Sequence, residues 1–328
     1  MREITYRDAL REALREEMLA DERIILLGED LADPYGGAYK VSAGLSTEFG
    51  TDRVIQTPIS EEGFVGATVG AALTGMRPVV EVYYVDFTTM AMDPIANQAA
   101  KIRYMSGGQV SVPMVIRTQG GPGRSSAAQH AQSLEAWFHH TPGLLVAMPS
   151  TPYDAKGLMK TAIRLNDPVV FVEQKLLYNT KGPVPEEEYT LPFGVADVKR
   201  EGADCTVVAT SMVVVKALRA ADLLAEEGIS LEVVDPRTLF PLDIDTIVES
   251  VKKTGRLAVA HEAAERGGFG AEVVAQVSDR AFDYLDAPIQ RVCAPSVPMP
   301  FARVMENFVI VDEFKIADRV RALVRGEL

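Results

Sequence analysis

Apolar runs alternate with amphipathic runs along almost the whole 328-residue chain. The spacing predicts an opening helix from Thr5 to Ala20. Leu10, Leu14 and Met18 recur at four-residue steps, and Thr5 and Asp8 have the pattern of an N-terminal cap. IILLG at 24–28 reads as a buried strand. A helix near 61–75, the strand PVVEVYYV at 78–85, a helix at 90–105 and the strand VPMVIRT at 112–118 follow. After a polar glycine loop come LLVAMPS at 144–150, a helix at 152–165 and PVVFVEQ at 168–174. Continuous apolar strands separated by helices predict a parallel sheet covered on both faces.

Lys175 to Ala203 breaks this rhythm with Pro183, Pro185, Pro192, several glycines and the acidic run Glu186–Glu188, a composition that predicts an interdomain linker. The alternation resumes with CTVVAT at 205–210, a helix over 212–227, ISLEVVD at 229–235 and a helix near 243–254. RLAVAHEA at 256–263, a helix from about 270 and IQRVCAP at 289–295 complete it. The expected organisation is α/β, with a first domain over 1–185, a linker over 186–203 and a smaller α/β domain over 204–328.

Composition narrows the function. Hydrophobic residues make up 47% and charged residues 24%, which excludes a disordered or collagen-like chain. A formal net charge of −13 argues against a nucleic-acid binder, which needs a basic face. No apolar run approaches the ~20 residues of a membrane helix, and MREITYRDALREALREE lacks the apolar core of a signal peptide. The two cysteines, Cys205 and Cys293, lie in apolar strand-like runs. They read as small buried hydrophobes and fit a reducing compartment, with a cytoplasmic location expected.

The usual signatures are missing: there is no GxGxxG after a strand, no GxxxxGK[ST] and no GxSxG. His261-Glu262-Ala263-Ala264-Glu265 resembles a zinc-protease helix but has glutamate in place of the second histidine. Three constellations remain. In TPISEEGFVG at 57–66, Pro58 and Ser60 mark a loop, and Ser60 is expected to cap a helix beginning near Glu61. Gly63, Gly66, Ala67, Gly70, Ala71 and Gly75 put small residues on nearly every face of that helix, so it is expected to bury against another helix, at a subunit interface. A glutamate at such a junction has a tunable proton affinity, although a helix N-terminus by itself also favours an acid. The run from Tyr83 to Thr89 closes a parallel strand, where α/β ligand sites lie, and Phe87 offers a ring face to a flat ligand or serves as ordinary core. QGGPGRSSAAQHAQ at 119–132 joins backbone freedom to Arg124, Ser125, Ser126 and His130, and its histidine is an acid–base candidate. His139-His140 reads as structural or interfacial.

At these residues the sequence resembles the β chain of the thiamine-diphosphate-dependent 2-oxo acid dehydrogenases, the group that includes pyruvate, branched-chain and acetoin dehydrogenases. The resemblance covers nearly the whole chain. TPISEEGFVG, AKIRYMSGGQ at 100–109, AAQHAQSLEAWFHHTPGL at 127–144, DAKGLMKTAIRLNDPVV at 154–170, DPRTLFPLD at 235–243 and DAPIQRVCAPSVPMP at 286–300 carry it. It implies a transketolase-like architecture, with a pyrimidine-binding domain followed by a transketolase C-terminal domain. It places on Glu61, not Glu62, the carboxylate that hydrogen-bonds N1′ of the aminopyrimidine ring. Phe87 matches the aromatic that packs on the pyrimidine, Tyr83 is a further cofactor contact at the close of the same strand, and His130 matches the histidine that assists reductive acylation of the lipoyl group. Met114, Ala162, Leu165 and Asp167 fall where relatives hold potassium, largely by backbone carbonyls, with Leu165 standing where an aspartate is common.

The family carries its diphosphate and magnesium motif, GDG with a later asparagine, on an α chain, and this sequence contains no GDG. The resemblance therefore implies half a site, two α and two β chains, and docking on a lipoyl-bearing acyltransferase core. Oxidative decarboxylation of a small 2-oxo acid is the expected reaction. Tyr104-Met105-Ser106-Gly107-Gly108 leans to pyruvate or acetoin over branched-chain substrates. Two other readings compete. A non-catalytic homologue sits poorly with an intact Glu61, Phe87 and His130. A self-sufficient transketolase-type enzyme sits poorly with the missing diphosphate module.

Overall fold

The structure, a computed structural model, describes residues 1–327 and forms two compact units. The first comprises Met1–Gly120 and Trp137–Phe193; the second comprises Gly121–Ala136 and the chain from Gly194 onward. The expected division near 186–203 accounts for one crossing between units, whereas the segment 121–136 makes two more that no apolar pattern signals.

In the first unit six parallel strands lie side by side in the order Leu145–Ala147, Val169–Gln174, Val115–Gly120, Arg77–Val82, Ile24–Gly28 and Val54–Gln56. Their apolar residues are buried, as continuous runs require when helices cover both faces. Helix Tyr6–Ala20 begins as its sequence predicts, with the Thr5 hydroxyl accepting from the Asp8 N–H. It packs on helix Pro152–Arg164, which Thr151 caps in the same way. Ion pairs Lys156–Glu16 (2.6 Å), Lys160–Glu16 (2.8 Å) and Arg164–Glu17 (2.7 Å) join the two helices. The single helix expected over 90–105 is instead a 3₁₀ segment Val85–Ala91, a π-helical segment Asp93–Ala99 and a short α-helix Ala100–Met105.

The second unit carries a sheet in the order Gln290–Ala294, Leu257–Ala264, Cys205–Ala209, Leu231–Asp235 and Asp197–Arg200, with only the last pairing antiparallel. That last strand lies inside the expected linker. Its sequence, DVKR, has no apolar periodicity, and backbone pairing along an edge is what makes it a strand. Helices Met212–Ala225 and Glu313–Arg325 pack together over an apolar core built on Val207, Ala217, Leu224, Val233, Ile316 and Val320. Among the described residues no helix is long and apolar enough to cross a membrane.

Candidate active site

The carboxyl ends of the first unit's strands gather the candidate residues. Strand Ile24–Gly28 runs directly into Glu29. Gly28 has φ +150°, and a Cβ there would stand 2.6 Å from the carbonyl oxygen of Glu81 on the next strand, so glycine lets the two backbones meet. Tyr83, just past strand Arg77–Val82, donates its hydroxyl to the Glu29 carbonyl at 3.0 Å and accepts from the Ala38 N–H at 3.0 Å. It thereby pins the turn that carries Glu29.

Glu61 opens helix Glu61–Leu73. Burial pushes the Glu29 carboxyl up to about 7, and the negative charges of Glu61 and Asp30 push in the same direction. Glu29 and Glu61 are thus electrostatic neighbours, and it is Glu29 whose proton affinity is raised. The sequence analysis missed Glu29; its signal was an acid placed immediately after a buried parallel strand. Phe87 lies in the 3₁₀ segment on which helix Glu61–Leu73 packs, half-buried, with its N–H donating to the Tyr84 carbonyl at 2.8 Å. The fold therefore brings Glu61, Tyr83 and Phe87 to one region.

One expectation about that helix needs correction. Ser60 occupies the cap position, but its side chain makes no capping hydrogen bond. Its hydroxyl lies beside Gly63, where a Cβ would come within 2.9 Å of it. The helix buries Phe64, Val65, Thr68, Val69 and Ala72 against 3₁₀ and π-helical segments, while Gly63, Ala67 and Gly70 stay exposed in this single chain.

Behind the site lies a buried ionic group. Arg117 donates to both carboxylate oxygens of Glu173 (2.7 and 2.9 Å) and to Glu81 (2.7 Å). Gln119 adds a bond to Glu81 at 2.8 Å, and the Tyr178 hydroxyl donates to Glu173. Burial raises the proton affinity of Glu81, and the charge of Glu173 adds to the effect. Each of these charges stands alone inside an apolar strand run, one per strand.

The four residues expected around potassium each have a defined setting. Met114 accepts from the Val169 N–H at 3.0 Å, and Leu165 accepts from the Arg77 guanidinium, which also holds the Ile163 carbonyl at 2.9 Å. Ala162 is buried, and Asp167 pairs with Arg103. A cation at Leu165 would face the Arg77 charge, so this donor set does not fit the ion.

His130 belongs to the second unit, half-buried in the 121–136 segment. Ala128, Ala131, Gln132 and Leu134 of that segment line a cavity of about 410 Å³ together with Glu262 and Met299. Glu135 is fully buried, and burial pushes its carboxyl up to about 7, with Glu262 adding to the rise. The Cys293 thiol lies 3.3 Å from His261 Nε2. Burial pushes that thiol up to about 12 and the imidazole down to about 4, so the pair is neutral and unreactive near pH 7.

Comparison with known proteins gives the family. Residues 2–181 match the family model "Transketolase, pyrimidine binding domain", and 194–316 match "Transketolase, C-terminal domain". The β subunit of acetoin:2,6-dichlorophenolindophenol oxidoreductase from Cupriavidus necator is 46% identical, covering 99% of this chain and 98% of its own. The mitochondrial pyruvate dehydrogenase E1 component subunit beta of Dictyostelium discoideum is 45% identical over 98% of this chain and 91% of its own. The chain belongs to this family of E1 β subunits. Its fold is transketolase-like: a solved structure titled "Split gene transketolase, inactive beta4 tetramer" superposes with a TM-score of 0.81, covering 98% of both chains at 23% identity, a likeness that speaks for the fold alone. As an E1 β family member, the chain has its two matched domains on either side of residues 182–193.

Proposed function

We propose that this chain is the β subunit of the first component of a 2-oxo acid dehydrogenase complex. With an α chain, in an assembly of two α and two β chains, it decarboxylates a 2-oxo acid and passes the acyl group to lipoyl groups on an acyltransferase core. Pyruvate is the favoured substrate; acetoin is the alternative, which the Cupriavidus relative supports by name. What supports the reading is the placement of Glu61 at the start of helix Glu61–Leu73, packed on the 3₁₀ segment that carries Phe87 and near Glu29, whose carboxyl is pushed up to about 7 mainly by burial.

When bound, thiamine diphosphate supplies the electron sink that decarboxylation of a 2-oxo acid requires. The residues fit it: Glu61 is a carboxylate able to hold a proton at a ring nitrogen of the aminopyrimidine. Phe87 offers the ring an apolar face, and Tyr83 anchors the turn beside them. The α chain holds the diphosphate and its magnesium. His130 stabilises charge during transfer to the lipoyl disulfide.

Glu61→Gln keeps the shape and removes the proton acceptor. In the reconstituted α–β enzyme, turnover with pyruvate should fall by about 10²–10⁴, the range of a general acid–base group, while Glu62→Gln stays near wild type. Equal impairment of the two variants would overturn the assignment. Turnover with pyruvate, acetoin and 3-methyl-2-oxobutanoate in the same assay identifies the substrate.

A further inference from the structure

The chain leaving strand Val115–Gly120 enters a loop in which Gly121, Gly123, Ser125 and Ala127 have φ of 84°, 108°, 52° and 60°. Glycine adopts such angles freely, but in Ser125 and Ala127 the Cβ crowds the following carbonyl. Non-glycine residues persist there only where their surroundings over-determine the backbone. For Ser125 the group that does so is Glu306, on the short helix Arg303–Val309 of the same unit. Glu306 is 1% exposed. Its Oε1 accepts the Gly123 N–H at 2.8 Å, and its Oε2 accepts the Ser125 N–H at 2.9 Å and the Ser125 hydroxyl at 3.3 Å. The Gly121 N–H closes the far side of the loop onto the Gln132 carbonyl at 2.9 Å. His130 lies between the Glu306-held residues and this closure.

A buried carboxylate receiving two backbone N–H groups two residues apart is a charge-assisted clamp. A carboxamide cannot reproduce it, because one of its ends is itself a donor and would face an N–H. We propose that Glu306 is a positioning residue: it clamps the 121–127 backbone and so fixes where the loop presents the His130 imidazole. The inference rests on the acyl-transfer role given to His130 above, but the clamp can be tested without it.

In the full-length chain, Glu306→Gln and Glu306→Ala should raise amide exchange in a peptide spanning 121–130 by at least about 10-fold, and more for alanine, while strand Cys205–Ala209 keeps its protection. In the reconstituted enzyme, Glu306→Ala should lower transfer to a lipoyl domain by about 10–100-fold, the scale of a misplaced reacting group. Decarboxylation followed with an artificial acceptor should fall less. The double variant with His130→Ala should transfer no worse than His130→Ala alone. Unchanged exchange over 121–130, or additive losses in the double variant, would overturn the proposal. If exchange rises but His130→Ala spares transfer, the clamp stands and the role of His130 fails instead. Should the alanine variant not fold, the glutamine variant, which keeps the side-chain volume, carries the same readouts.

Discussion

Glu81 and Glu173 in the first unit and Glu135 in the second are all buried acids, and their surroundings deal with them differently. The first two converge on one guanidinium, Arg117, with Gln119 and Tyr178 completing the bonding. Glu135 bonds its own backbone N–H, leaves Oε2 without a partner, and sits near Glu262, whose bond is to Lys216. Glu81 and Glu173 are neutralised by a fixed cation, whereas Glu135 has none and burial raises its proton affinity. A cation-paired site keeps its charge pattern across pH. A proton-neutralised site is pH-dependent by construction. The second unit also places Glu232 at the opposite, amino-terminal edge of its sheet, bonded to Ser250 at 2.5 Å and to the Gly202 N–H at 3.0 Å and paired with Lys253. There an acid ties the fold together, away from the strand ends that carry ligand sites in such sheets.

The comparison breaks most sharply at Arg117. Arg117→Met strands two buried carboxylates and should cost about 3–5 kcal/mol in urea unfolding at pH 7. Adding Glu81→Gln and Glu173→Gln should recover most of the loss. A single-variant cost below about 1 kcal/mol would mean that pairing is not what the first unit relies on.

Glu135 gives the next largest effect. Its folded-state proton affinity is raised from 4.5 to about 7. Its protonated form therefore stabilises the fold at acid pH, and that contribution is lost as pH rises from about 4.5 through about 7. Glu135→Gln, permanently neutral, should be more stable than wild type by about 1–3 kcal/mol at pH 8, with the difference vanishing toward pH 4.5. A pH-independent difference would show that Glu135 finds a cation in solution.

The smallest effect is expected at Glu232. Glu232→Gln keeps an acceptor for the Gly202 N–H, reverses the sense of the Ser250 bond and loses an ion pair with the half-exposed Lys253, so about 1 kcal/mol should be lost, less at high salt. A loss exceeding that of Arg117→Met would invert the ranking of the two units.

Much of this architecture is legible in the sequence because the strands are buried on both faces and read as unbroken apolar runs. What escaped has specific causes. Strands Arg2–Thr5 and Lys181–Val184 stabilise each other antiparallel across most of the first unit's length, and neither has a pattern of its own. Strand Arg77–Val82 stops before the apolar run does, since Tyr83 and Tyr84 turn away to meet the Glu29 turn and the 3₁₀ segment. Glu61, Tyr83 and Phe87 are candidates through their motif and their position after a strand, and the fold brings them to one region. Glu29 and Glu306 matter through spatial partners, Glu61 for one and the Gly123–Ser125 backbone for the other, and a linear pattern does not encode those. The polar residues Glu81, Arg117 and Glu173 were hidden by their apolar neighbours.

The crossing of the chain into the second unit at 121–136 and back has a consequence for synthesis. Gly123 and its anchor Glu306 are 183 residues apart. At a ribosomal elongation rate of about 5–20 residues per second, the histidine loop would leave the exit tunnel roughly 10–40 seconds before the carboxylate that holds it. During that interval the loop is unanchored, and the order of translation makes the helix Arg303–Val309 the last part needed to fix it.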